Sequence, residues 1–201
     1  MKVVLATRNA GKAAEIRGIL SSTGLEFLTL DDFPKLGLPP ETGDTFRENA
    51  TAKARFVAQK TGLLALADDS GLEVDFLMGR PGVLSARYSG PEATDEKNVE
   101  KLLHELHGAP EHKRQARFVC VMAFASTGGK VMTFEGRLDG FIAQSPSGSK
   151  GFGYDPVFFA PTLNKTLAEV PMAEKNKISH RKQALEKFRK WISKKHGLTG
   201  N

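Results

Sequence analysis

Cysteine is nearly absent from this sequence, and its scarcity limits the chemistry available to the chain. The 201 residues contain one cysteine, Cys120, which excludes an internal disulfide and a zinc site built from cysteines. Cys120 lies within the apolar run Phe118-Val119-Cys120-Val121-Met122. This position predicts a buried, unreactive thiol.

Long apolar runs are also missing. No stretch approaches the ~18 apolar residues that a membrane-spanning helix needs, and the apolar start after Met1-Lys2 is too short for a secretory signal. We therefore expect a cytoplasmic protein without a membrane partner. With 201 residues, of which 40% are hydrophobic and 26% charged, the chain is expected to form a single domain, residues 1–201.

Aromatic residues are scarce where the basic charge is concentrated. The net charge is +6, but nine Lys or Arg and one acid lie within residues 175–195, so the excess belongs to one segment. Its aromatic residues, Phe188 and Trp191, have the spacing of a helix that packs on a core. We therefore expect no nucleic-acid partner. The alternative, a non-catalytic binder that uses this basic helix, would leave the acids and the glycine-rich loop described below unexplained.

Two adjacent acids follow the apolar residues 63–67, which are typical of a buried strand. Asp68 and Asp69 are followed by Ser70-Gly71, which favours a turn. Ligands bind beyond the carboxyl ends of parallel strands, and adjacent carboxylates repel each other unless a cation or a proton lies between them. These acids therefore predict a site for Mg²⁺. The alternative is a solvated turn in which one acid caps the next element.

A candidate anion site follows the first predicted strand, residues 2–6. The polar turn Thr7-Arg8-Asn9-Ala10-Gly11-Lys12 leads into a helix predicted to end near Ser21. The N-terminus of such a helix offers backbone N–H groups to a phosphate, although an ordinary helix cap has the same pattern. The turn is not a Walker loop, because Ala13 replaces the required Ser or Thr.

A second helix is predicted to begin after Thr45, which forms a capping box with Glu48, and to end near Gln59. Lys53 lies beside its apolar stripe, either as an extended stem on the surface or as a cation directed at a polyphosphate. Glu41, before this helix, is either a loop acid or a carboxylate that faces the same cleft as Asp69.

The remaining pattern predicts a mixed α/β protein. Further strands are predicted at residues 26–30, 72–76, 117–125, 131–134, 137–142 and 157–159, and a helix at residues 94–108. Residues 83–88 are compatible with either a strand or a helix.

The late part of the chain contains the glycine-rich loop, which carries two aromatic residues, and a final helix that begins with basic residues. In Gly151-Phe152-Gly153-Tyr154-Asp155-Pro156, the two aromatic rings either stack on a base or pack in the core. His180 and Arg181 begin the final helix, where cations oppose the helix dipole. They favour an anionic or carbonyl partner, or else belong to a solvated basic helix.

The chain resembles the inosine triphosphate pyrophosphatase family over nearly its whole length. The motifs that carry this resemblance, in the family's order, are Thr7-x-Asn9-x-x-Lys12, Glu41-Thr42-Gly43, Glu48-Asn49-Ala50 with Lys53-Ala54, Ala67-Asp68-Asp69-Ser70-Gly71, Ser85-Ala86-Arg87-Tyr88, Gly151-Phe152-Gly153-Tyr154-Asp155-Pro156 and Ile178-Ser179-His180-Arg181. The resemblance implies an elongated α/β domain with a long mixed β-sheet flanked by helices, two lobes with a deep active-site cleft between them, and usually a homodimer.

The resemblance also implies a reaction, the Mg²⁺-dependent hydrolysis of dITP, ITP and XTP to the monophosphate and pyrophosphate. Glu41 and Asp69 would bind the metal, with Asp68 close by, and Asp69 would also act as the catalytic base. The substrate would be held by Thr7, Arg8, Asn9, Ala10, Gly11, Lys12 and Lys53 at its triphosphate, and by Ser70, Phe152, Gly153, Tyr154, Asp155, Lys175, His180 and Arg181 at its nucleoside. An alternative is the same chemistry on modified pyrimidine nucleotides, as in related septum-associated nucleotide pyrophosphatases.

Overall fold

The computed structural model of the protein describes residues 1–196 and consists of helices and one mixed sheet. The helices are α1 Ala10–Leu20, α2 Phe46–Thr61, α3 Asp95–Glu105, α4 Met172–Ile178 and α5 His180–His196. The strands are β1 Lys2–Leu5, β2 Glu26–Leu28, β3 Leu64–Val74, β4 Gln115–Ala125, β5 Val131–Ile142, β6 Phe158–Ala160 and β7 Lys165–Thr166. Among the described residues, no helix combines the length and the apolar character needed to cross a membrane.

The sheet has the strand order β2-β1-β3-β4-β5-β6-β7. Strand β1 runs parallel to β2 and to β3, with Val3 opposite Leu64 and Leu5 opposite Leu66. Strands β5, β6 and β7 pair antiparallel. The predicted mixed α/β fold is therefore confirmed.

Strand β3 corrects the predicted turn at the acids. Asp68, Asp69, Ser70 and Gly71 lie inside one continuous strand that ends at Val74, so no separate strand begins at Leu72. The strand continues because β4 is its neighbour on the side opposite β1, whereas the parallel pairing to β1 ends at Leu66. The two acids thus lie just beyond the carboxyl end of β1.

The chain divides into two compact units. The first unit contains Met1–Asp69, Cys120–Gly136 and the chain from Arg181 on, and the second contains Ser70–Val119 and Arg137–His180. In the first unit, α1 and α5 bury their apolar stripes against the strands, with Phe188 fully buried and Trp191 packed beside it. This confirms the inward face predicted for the final helix.

The second unit is built around α3 and the far end of the sheet. Val99 and Leu102 of α3 pack with Leu72, Val74 and Phe158. The segment compatible with either a strand or a helix is a 3-10 helix, Gly82–Arg87, which confirms the helical alternative. The short helix α4 and strand β7 were not predicted, because seven and two residues are too few for a periodic pattern to stand out.

Candidate active site

Lys53 joins two carboxylates in the first unit. Its Nζ lies 2.7 Å from Oε1 of Glu41 and 3.0 Å from Oδ1 of Asp69. Lys53 is 6% exposed, so it is not a stem extended along the surface. The structure brings these three predicted residues together as one ionic group, in which Lys53 and Asp69 are buried and Glu41 is partly exposed.

Burial and neighbouring charges set the pKa values of this group. Burial raises the pKa of Asp69 above its ordinary value, and repulsion from Glu41 adds to the effect, although Lys53 opposes it. Burial lowers the pKa of Lys53, but attraction to Asp69 and Glu41 outweighs this and holds that pKa above its ordinary value. A carboxylate whose pKa is raised in this way is a stronger proton acceptor.

The loop that carries Glu41 is fixed by α2. Asn49 Oδ1 accepts the backbone N–H of Gly43 at 2.8 Å. A Cβ at position 43 would meet Glu48 Cβ at 2.7 Å, so only glycine fits there. The capping box between Thr45 and Glu48 is confirmed and starts α2 at the position that directs Lys53 inward.

A second ionic group surrounds Asp68. Its Oδ2 lies 2.8 Å from Lys12 Nζ and 3.6 Å from Arg181 Nη2, and Arg181 Nη1 donates to Glu15 Oε2 at 3.0 Å. Burial opposes the charged form of Asp68, but Lys12 and Arg181 more than offset it and hold the pKa of Asp68 well below its usual range. The cation that opposes the dipole of α5 is thus balanced by two acids.

The first turn of α1 is an ordinary helix cap in its local geometry. Asn9 Oδ1 accepts the N–H of Lys12 at 3.0 Å, and Thr7 Oγ1 accepts the N–H of Asn9 at 3.1 Å. Arg8 donates to the backbone oxygen of Leu36 at 2.9 Å. Ala10 and Gly11 are exposed and lie in the first helical turn, where backbone N–H groups can face an anion.

The glycine-rich loop of the second unit separates its two aromatic residues. Tyr154 is 4% exposed, belongs to the core and donates to the backbone oxygen of Ser85 at 2.9 Å. Phe152 is 58% exposed, and Lys175 Nζ lies 4.4 Å from its ring centroid. Only Phe152 therefore retains the exposure that stacking on a base requires.

The carboxylate of Asp155 stabilises this loop from within. Its Oδ2 accepts the N–H of Phe152 at 3.0 Å and pairs with the ammonium of Lys175. A Cβ on Gly151 would lie 2.0 Å from the same oxygen. His180, also in the second unit, stacks on Phe118 with ring centroids 5.1 Å apart, and Ser70 is partly exposed in the same unit.

Sequence reasoning missed two residues that support these groups. Asn49 is 2% exposed on a helix, and a buried amide is a sign of a specific hydrogen-bonding role. Glu15 pairs with Arg181, 166 positions away in the chain. Asn49 was already within a quoted motif, whereas no local pattern identifies Glu15.

The donor chemistry near Lys53 fits Mg²⁺. The described residues contain no group of three or more His, Cys, Asp or Glu that could hold a metal. Mg²⁺ is commonly held by only one or two carboxylates, with substrate phosphates and waters completing its coordination. Glu41 and Asp69 provide two carboxylates that already meet at one cation, which is the donor set such a site needs.

Comparison with known proteins gives a consistent result. The family model described as the Ham1 family matches residues 3–191. Proteins named dITP/XTP pyrophosphatase from Geobacter sulfurreducens and Halalkalibacterium halodurans are 53% and 48% identical, over 92% and 94% of this chain and 92% and 97% of theirs. The solved structure of a Ham1 protein from Coxiella burnetii matches with a TM-score of 0.92 and 42% identity, over 96% of this chain and 99% of that one. These matches confirm the family resemblance predicted from the motifs.

Proposed function

The chain belongs to the Ham1 family, and on that premise we propose that it hydrolyses non-canonical purine nucleoside triphosphates. Its substrates would be dITP, ITP and XTP, its products the monophosphate and pyrophosphate, and its role the removal of these nucleotides from the cytoplasmic pool. Relatives about half identical to this chain carry the name dITP/XTP pyrophosphatase. The observation that carries the proposal is the ionic group in which the buried Lys53 bridges Glu41 and Asp69.

Mg²⁺ would be held by Glu41 and Asp69, and when bound it would polarise the phosphoryl oxygens of the substrate. Asp68 would lie close to the metal, where Lys12 and Arg181 balance its charge. Its role would be to hold Lys12 at the start of α1.

Side chains of this protein would supply the proton acceptor and the cations that the reaction needs. Asp69 would take the proton from the attacking water. Lys12 and Lys53 would neutralise the charge that develops on the leaving pyrophosphate. The water oxygen would bond to the innermost phosphorus while the bond from that phosphorus to the leaving pyrophosphate breaks, which releases the monophosphate and pyrophosphate.

Base selection would use the remaining predicted residues. The exposed ring of Phe152 offers a flat face to a purine. Donors from His180 or Arg181 suit the carbonyl of hypoxanthine or xanthine and would face another donor, the amino group, in adenine. A homodimer remains part of the proposal as an implication of the family, and we expect no nucleic-acid partner.

The test is hydrolysis of dITP in the presence of Mg²⁺, with and without added inorganic pyrophosphatase. We expect free phosphate only when the second enzyme is present, because cleavage at the innermost phosphate releases pyrophosphate. Equal amounts of free phosphate in both reactions would overturn the proposal. A chelator control without Mg²⁺ tests the metal requirement, and a panel that includes modified pyrimidine triphosphates tests the base.

A further inference from the structure

Two successive backbone N–H groups of the glycine-rich loop donate to carboxylates from different parts of the chain. The N–H of Phe152 donates to Asp155 at 3.0 Å, and the N–H of Gly153 donates to Oδ2 of Asp95 at 2.6 Å. The two peptide groups on either side of the Phe152 Cα are therefore both held. Because the Cα–Cβ direction follows from the backbone, these two bonds fix the direction in which the exposed Phe152 side chain leaves the loop.

Asp95, which accepts the Gly153 N–H, lies outside the loop. It is the first residue of α3, which Thr94 caps by accepting the N–H of Lys97. The hydrogen bond to Gly153 spans 58 positions in the chain, so it ties the loop to a separate, rigid element.

A cavity lies beside the hydrogen bond between Asp95 and Gly153. A space of about 360 Å³ lies beside the first turns of α3 and the loop, and its lining includes Asp95, Val99, Phe152 and Gly153. Across such a space the lining atoms make no van der Waals contact with one another. At Gly153 the loop is therefore joined to α3 by this hydrogen bond, whereas Tyr154 is held by packing in the core.

The same helix also supports the other aromatic residue of the loop. Asn98, one turn after Asp95, donates to the backbone oxygen of Ser85 at 3.4 Å. That oxygen also accepts the hydroxyl of Tyr154 at 2.9 Å. One face of α3 thus supports the loop at Gly153 directly and at Tyr154 through Ser85.

We propose that Asp95 is a positioning residue for nucleotide binding, whose hydrogen bond to the Gly153 N–H sets the orientation of Phe152 against the nucleoside. The inference rests on the proposed function. It adds a residue that would not touch the substrate and would act only through the loop.

The test measures binding of the nucleoside end and of the phosphate end of the substrate separately. Asp95→Ala removes the acceptor, and we expect KM for dITP and the inhibition constant of deoxyinosine monophosphate to rise about tenfold, as for loss of one charge-assisted hydrogen bond. The inhibition constant of pyrophosphate is expected to stay within about twofold, because pyrophosphate contains no base. The value of kcat is expected to change less than threefold, since the proposed catalytic groups belong to the first unit.

Two further variants give the matched comparison. Asp95→Asn keeps an acceptor oxygen and should stay within about threefold of the unchanged protein in both constants. Glu100→Ala removes the same charge from α3 beside the same cavity and should change neither constant. If Asp95→Ala does not fold, Asp95→Ser replaces it, because serine is accepted at a helix start but is too short to reach Gly153.

Each outcome decides the question. Weaker binding of the monophosphate with unchanged pyrophosphate binding supports the inference. Constants equal to those of the unchanged protein, or an equal rise in both inhibition constants, overturn it, because the first removes the role and the second indicates general destabilisation. An unchanged protein that neither binds the monophosphate nor releases pyrophosphate from dITP overturns the proposed function and this inference together.

Discussion

The ammonium of Lys53 on α2 lies 3.0 Å from the carboxylate of Asp69 on β3, and both side chains are buried. Each compensates a charge that would be costly to bury alone. This relationship makes the two residues separable by experiment, because one variant removes a proton acceptor and the other removes a charge partner.

The first prediction concerns the proton acceptor. Asp69→Asn should fold normally, because the amide has nearly the same shape and Lys53 keeps its contact with Glu41. Turnover of dITP should fall by at least about 10²–10⁴-fold, the usual contribution of a general base, as measured by pyrophosphate release. Asp139→Asn, on an exposed residue of β5, is the control with the same change of chemistry. Retained turnover in Asp69→Asn would reduce Asp69 to a structural residue.

The second prediction concerns the charge partner. Lys53→Met leaves Glu41 and Asp69 without their shared cation, and we expect the free energy of unfolding to fall by about 3–5 kcal/mol. Urea unfolding measures the change. Lys60→Met, on an exposed lysine of the same helix, should stay within about 0.5 kcal/mol.

A double variant checks that charge is the cause. Lys53→Met combined with Asp69→Asn removes one of the stranded carboxylates and should recover part of the lost free energy. Simple additivity of the two changes would argue against the ionic coupling.

The third prediction concerns a buried arginine of the second unit that donates hydrogen bonds to the backbone. Arg114 donates to the backbone oxygens of Ile142 at 2.8 Å, Leu106 at 3.0 Å and Ala143 at 2.9 Å. Arg114→Met leaves these carbonyl groups without a hydrogen-bond donor and should lower the free energy of unfolding by about 2–4 kcal/mol. Chemical unfolding measures this change, and Arg137→Met, on an exposed position, is the control. A loss no larger than the control's would show that water replaces all three bonds.

The fourth prediction concerns the thiol. Burial raises the pKa of Cys120 to about 12, whereas an unfolded cysteine has a pKa of about 8.5. Ellman's reagent at pH 8 should therefore label the folded protein far more slowly than the protein in denaturant. Equal labelling rates would mean that the thiol is accessible.

The same shift gives a pH dependence of stability with a definite sign. Because the folded pKa of Cys120 is the higher one, its contribution is fully present below about pH 8.5 and is lost as the pH rises toward the folded value of about 12. The decline of stability in this window should be shallower in Cys120→Ala. Identical slopes would contradict the assignment.

Several features were predictable from local sequence because they depend on neighbours in the chain. The capping box of Thr45 and Glu48 and the inward face of α5 follow from side-chain spacing along one helix. The apolar run around Cys120 was sufficient to predict its burial. The motifs were specific enough to predict the family.

Other features were not predictable, because they depend on which strand lies alongside. Ser70-Gly71 favours a turn in isolation, yet both residues remain in β3, which is hydrogen-bonded to β4. Phe152 and Tyr154 carry the same local signal, and only their different burial separates an exposed ring from a core residue.

The sequence by itself determined the family, the mixed α/β class, the helix caps and the set of charged residues available for chemistry. The tertiary structure alone decided how those charges pair: Lys53 with Glu41 and Asp69, and Arg181 with Glu15 and Asp68. The physical reason is that helical periodicity shows which face of an element is buried, whereas a charge pair depends on what another element places opposite that face. That information is nonlocal, and it becomes available only when the chain has folded.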